Sequence, residues 1–124
     1  MAAANVAPGS SLASIANSAS GKLDGKKSTY VLADEMQADA LSSLSLVQAM
    51  GKPNNPETGM AIGNIKSMSY LSLYYANKIR GATFLKANDR DRAKKALGEA
   101  YGWWVKYADV TDETIGDQIK GLWN

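Results

Sequence analysis

The stretch AYGWWVKYAD, residues 100–109, concentrates two tryptophans and two tyrosines in ten positions. Planar rings at that density either fill a core or present flat apolar faces to a ligand. A second group precedes it: Tyr74, Asn77, Lys78 and Arg80 bring a ring, an amide and two cations together within two helical turns. What the chain lacks narrows the chemistry further. It contains no histidine and no cysteine. Without thiols there is no disulfide framework, thiolate zinc site or cysteine nucleophile. Without imidazole the commonest general base, the Ser–His pairing and the usual metal ligand are gone. Paired carboxylates can work without either group, but the acidic residues here fall mainly on polar helix faces. The expectation is a protein that is not an enzyme, with no cofactor and no metal.

The aromatic residues divide by helical phase. Neighbouring positions on a helix point about 100° apart, so Trp103 and Trp104 cannot share the centre of one narrow stripe. Trp104 follows Leu97, Ala100 and Tyr101 and is expected in the core. Trp103 turns toward Glu99, Lys106 and Tyr107, either as packing at a helix boundary or as a partly exposed platform. On the preceding helix Tyr75 joins the expected core stripe, while Tyr70 and Tyr74 lean toward Asn77, Lys78 and Gly81.

These side chains need helices to position them, and the punctuation of the chain supplies the boundaries. With 124 residues the chain is long enough for one domain around one core. SSLASIANSAS is expected to form a short helix, followed by a loop at GKLDGKK. Thr29 or Ser28 can cap a helix whose apolar positions Met36, Ala40, Leu44, Val47 and Met50 recur at intervals of three and four. GKPNNPETG, residues 51–59, stops it. A second helix is expected from Glu57–Met60 to about Ala87, with Ala61, Ile65, Met68, Ser72, Tyr75, Ile79 and Ala82 as its central stripe. Asn88 or Asp89 caps a third, whose core side carries Ala93, Ala96, Leu97, Ala100, Tyr101 and Trp104. A last short helix is expected at about 112–122. The fold class is all-α: an antiparallel bundle of three main helices with one or two short additional helices. Residues 1–29 form a flexible or partly helical N-terminal segment, and 30–124 the helical bundle domain.

The formal charge of +2 and the absence of any dense run of Lys and Arg argue against nucleic acid. Lys22, Lys26 and Lys27 read as a solvated linker. No stretch reaches the roughly 18–20 apolar residues of a membrane span, and the N-terminal stretch lacks the basic and apolar regions of a signal peptide.

YVLADEMQADALSSL (30–44), IGNIKSMSYLSLYYANKIRGATFL (62–85) and AKKALGEAYGWWVKYADVTDE (93–113) together resemble a helical module from the C-terminal part of large bacterial polysaccharide-degrading proteins. Those proteins carry a glycoside-hydrolase-like catalytic region in a group related to α-glucuronidases. The resemblance rests on the ADE start of the first helix, on YYA-x-KIRGA in the second and on the W-x-x-YA of the third. The chain departs from the pattern at Gly63-Asn64, where an acidic residue is common. The resemblance implies a non-catalytic carbohydrate-binding accessory module of a polysaccharide-degrading enzyme. Its partners would be a polysaccharide or oligosaccharide, including acidic ones, and the parent catalytic domain. Its location would be extracellular or periplasmic, within a larger secreted enzyme whose export signal is not in this chain.

The residues are compatible with that role. A sugar site sets an aromatic ring against the apolar C–H face of a pyranose, with polar groups for the hydroxyls and a cation where the sugar is acidic. Arg suits a carboxylate or sulfate because its planar fork engages two oxygens at once. Trp103 and Tyr107, with Tyr74, Asn77, Lys78 and Arg80 on the neighbouring helix, are the candidate sugar-binding residues. The competing account is structural: Gly81 permits close helix packing, Lys78 and Arg80 face solvent, and Asn77 satisfies a buried tyrosine hydroxyl. The corresponding alternative function is a structural helical spacer or a protein–protein interaction module without sugar binding.

Overall fold

Ser14, Ser28, Asn55 and Asp89 set the helix starts. The structure, a computed structural model, describes residues 11–123, with side chains through 113 and that of Ile115. Four helices follow in order: α1 (Ile15–Ser20), α2 (Thr29–Met50), α3 (Pro56–Lys86) and α4 (Arg90–Trp123). The Ser14 hydroxyl accepts from Asn17 N, Ser28 from Val31 N, and the Asn55 amide oxygen from Thr58 N. The Asp89 carboxylate accepts from Arg92 N at 3.2 Å. Each cap satisfies one of the backbone donors that a helix start leaves unpaired. Gly21 ends α1 in the left-handed conformation, and Gly51 ends α2 at φ 69°, ψ −152°.

The expected terminal helix at about 112–122 is not separate. It continues α4, because the Val110–Glu113 stretch contains neither proline nor glycine to break the backbone. Residues 1–10 of the expected N-terminal segment lie outside the described residues. Within the rest of that segment, Ala13 N–H donates to the Lys27 carbonyl at 2.8 Å and Lys27 N–H to that of Ser11 at 2.8 Å, and α1 packs on α3 and on the start of α2.

The architecture is an all-α bundle in which α3 is central. α2 packs antiparallel along one side and α4 along another; among the described residues α2 and α4 do not approach each other closely. The seams are built from small side chains. Ala33, Ala40 and Val47 of α2 are buried, as are Ala76 and Gly81 of α3 and Ala93, Ala96 and Ala100 of α4. Leu73, Asn77 and Thr83 are the largest fully buried side chains. Short side chains let helix backbones approach closely, which leaves larger neighbours outside the contact line.

Buried polar groups are paired within the helices or across them. Ser69 and Asn77 donate to the carbonyls of Ile65 and Leu73, one turn back. Thr83 donates to Ile79 O at 2.8 Å and lies 2.7 Å from the Thr29 hydroxyl. Because the Thr83 proton is directed at the carbonyl, Thr29 is the donor between the two, and Ser18 accepts from Thr29 N. This chain of bonds ties α1, α2 and α3 at one end of the bundle.

The expected core stripe of α3 is out of phase with the observed one. Ile62, Ser69, Leu73, Ala76 and Asn77 are buried, whereas Met68 is 70% and Tyr75 48% exposed. The observed face is turned by roughly one residue because α3 meets its neighbours α2 and α4 through small groups, not large ones.

Candidate functional site

The α3–α4 seam carries the aromatic residues on its two flanks. Tyr70 and Tyr74 are one turn apart on α3, and Trp103 and Trp104 straddle the seam on α4. Tyr70 stacks on Trp103, with centroids 5.8 Å apart and planes inclined by 23°. The Lys106 ammonium lies 5.7 Å from the Trp103 ring and 6.0 Å from Tyr70. On the other flank Tyr74 and Trp104 meet at 5.1 Å, and Tyr107 supports Trp104 from one turn along at 5.3 Å. Such contacts hold ring orientations by edge and quadrupole interactions in addition to area burial.

The flank at Trp104 is hollow. Tyr74, Lys78, Leu97, Ala100, Tyr101 and Trp104 line an open pocket of about 410 Å³. Trp104 remains 42% exposed and Tyr101 69% exposed. The expectation that Trp104 and Tyr101 fill the core is therefore corrected. Ala93, Ala96 and Ala100 already close the seam, and Leu97 lies across from Gly81, so the bulky positions beside them are displaced to the surface. Trp103, expected as packing or platform, is half-buried against Tyr70 on the opposite flank.

The six expected sugar-binding residues do not converge on one place. Tyr74 and Lys78 line the pocket, with the Lys78 ammonium 5.3 Å from the Tyr74 ring centroid. Tyr107 stands behind Trp104, and Trp103 belongs to the other flank. Asn77 is 1% exposed and spends its amide on Leu73 O and, at 3.4 Å, on Arg80, so it cannot reach a ligand. Arg80 is turned toward α2, where it donates to Gln37 at 2.6 Å and to Asp34 at 2.7 Å. Both are corrected from ligand-binding to structural positions: the helical phase of 77 and 80 points them at the seams, not at the pocket.

The residues missed were Leu97, Tyr101 and Trp104. Their spacing of four and three marks one strip of α4, and the Ala93–Ala96–Ala100 series one step away already supplied a complete seam. That duplication was the available signal.

The polar tips at the pocket are unspent. Among the described residues, the hydroxyls of Tyr74 and Tyr101 and the Trp104 indole N–H make no hydrogen bond within the chain, and Lys78 has no carboxylate partner. A second cleft of about 510 Å³ lies at the other end of the seam, between Pro53, Pro56 and Met60 and the α4 residues Val110 and Glu113. Among the described residues its lining contains no aromatic ring.

Compared with known proteins, the chain matches no family model, no curated protein and no solved structure. Among the described residues no helix is long and apolar enough to cross a membrane.

Proposed function

We propose that the chain is a non-catalytic carbohydrate-binding accessory module of a polysaccharide-degrading enzyme, working as part of a larger secreted protein. The carrying observation is the pocket at Tyr74, Tyr101 and Trp104: three rings with exposed surface, supported from behind, whose polar tips have no internal partner. A pyranose offers complementary chemistry, an apolar C–H face for a ring and hydroxyls for donors at its edge. The pocket is shallow and open on one side, which suits a unit within a longer chain.

Affinity electrophoresis through a panel of soluble polysaccharides tests this reading. Retardation by at least one polymer is expected, with loss on Trp104→Ala at unchanged far-UV circular dichroism. Trp103→Ala, on the opposite flank, is expected to retain binding. Absence of retardation across the panel, or equal binding by Trp104→Ala, refutes the assignment.

A second reading has its own observation. Leu46, Met50 and Met68 lie more than half exposed on α2 and α3, away from the pocket. Leu46 and Met50 are one turn apart on α2, and an apolar surface of that kind can be covered by another protein. A structural spacer packed on its parent catalytic domain, or a protein-interaction module without sugar binding, would use them. Self-association of the purified chain in sedimentation, without glycan binding, would favour that account.

A further inference from the structure

The hydrogen-bonding inventory of the aromatic pocket is lopsided. Among the described residues its lining contains one ionic side chain, Lys78, and neither a carboxylate nor a side-chain amide. The Lys78 ammonium and the Trp104 indole can only donate, and the two tyrosine hydroxyls can donate or accept. A neutral sugar hydroxyl is both donor and acceptor, and a site built for neutral sugars needs strong acceptors to take those protons. The backbone carbonyls cannot serve, since the α3 and α4 residues lining the pocket lie inside long helices, where carbonyls are used in the helical ladder. The two groups on α3 that could have altered the balance have been withdrawn: Asn77 is buried and Arg80 is neutralised by Asp34 on α2. Among the described residues Lys78 itself has no carboxylate within ion-pair distance, and its ammonium is poised over the Tyr74 ring.

We infer that the pocket recognises an anionic sugar unit, one bearing a carboxylate or a sulfate ester. The ring stacks beside Trp104 and Tyr101, and its anionic oxygens accept from Lys78. This inference rests on the carbohydrate reading and adds the ligand's charge to it. A carboxylate or sulfate is an acceptor-only group, so it matches a donor-rich rim. The Tyr74 ring contributes by holding the ammonium at the pocket edge through its negative face, where it is oriented before a ligand arrives.

The test uses polymer pairs that share a backbone and differ in charge: polygalacturonate against its methyl ester, and dextran sulfate against dextran. The first pair reports a carboxylate and the second a sulfate. The charged member of at least one pair is expected to bind at least about tenfold more tightly than its neutral partner at low ionic strength, the scale of one charge-assisted hydrogen bond. Lys78→Gln should remove that difference, and Lys78→Arg should keep most of it. Lys52→Gln, which lowers the net charge equally from the α2–α3 connection, should leave it unchanged. Equal binding of charged and neutral partners overturns the inference, as does a silent Lys78→Gln or a Lys52→Gln as damaging as Lys78→Gln. If neutral glycans alone bind, with loss on Trp104→Ala, the inference falls while the carbohydrate reading stands. If no glycan of any kind binds, both fall.

Discussion

Replacing Gly81 by alanine probes the seam from which the aromatic pocket is built. A Cβ at this position would stand 2.7 Å from Leu97 Cδ2, 2.8 Å from Leu97 Cγ and 3.6 Å from the Ala93 carbonyl oxygen. Two terms oppose each other. Alanine is favoured over glycine inside a helix by about 1 kcal/mol. Overpacking of a close contact costs about 1–3 kcal/mol. Here the overlap involves the branch point of Leu97 as well as a terminal methyl, so a small rotation does not relieve it. Leu97 is partly exposed and can swing outward, which keeps the cost near the middle of that range. The net expectation is a loss of about 1 kcal/mol, or roughly 4 °C in Tm for a chain of this size. The displaced Leu97 must also enter the pocket that it now lines, so ligand affinity should fall along with stability.

Urea unfolding followed by circular dichroism measures the first effect, and the polysaccharide gel the second. The double variant Gly81→Ala/Leu97→Ala removes the overlap and closes a double-mutant cycle. A favourable coupling of about 1–2 kcal/mol between the two changes is expected, because they share one contact. If Gly81→Ala alone stabilises the protein and the cycle shows no coupling, α3 and α4 are not in the close approach described above.

Other perturbations isolate single features. Gly51→Ala should lose about 1–3 kcal/mol in urea unfolding: its φ of 69° with ψ −152° is a region essentially reserved for glycine, and no atom nearby would clash with the added carbon. Arg80→Met should cost about 1–3 kcal/mol: it removes the bonds to Gln37 and Asp34, and although Asp34 returns to water, the buried Asn77 Oδ1 loses its guanidinium donor. Unchanged stability in that variant would show that the α2–α3 seam does not use the guanidinium. Burial raises the Tyr30 hydroxyl above its ordinary value of 10.0, the Asp89 carboxylate adds to the rise, and Arg92 partly offsets it. In the interval above 10.0 the folded state therefore holds a proton that the unfolded state has released, so stability falls as pH rises through it. Tyr30→Phe should flatten that decline in unfolding curves measured from pH 9 upward, and an unaltered slope would contradict the burial argument.

The helices themselves were readable because their limits depend on local chemistry. Ser28 before an apolar repeat, Gly51 followed by Pro53 and Pro56, and Asp89 after a polar break act within a turn or two of their own positions. Both ends of α2, the start of α4 and the all-α class follow from such signals. The extent of α4 was less legible. A run of polar residues at 111–113 resembles a break, yet nothing in it prevents helical hydrogen bonding.

The direction in which each helix faces its neighbours depended on something else. Ranking residues by size and hydrophobicity assigns Met68, Tyr75, Tyr101 and Trp104 to the interior. In the folded chain alanines and Gly81 make the contacts, and the large groups stand at the flanks. Two helices can meet through large side chains at a wide spacing or through small ones at a short spacing, and both solutions are compatible with the same periodicity. Only the assembled α2–α3–α4 arrangement selects the short spacing. That selection buries Asn77, commits Arg80 to Asp34, and leaves Lys78 beside Tyr74, Tyr101 and Trp104. The sequence contained the rings and the cation; the separation between α3 and α4 decided which of them reach solvent together.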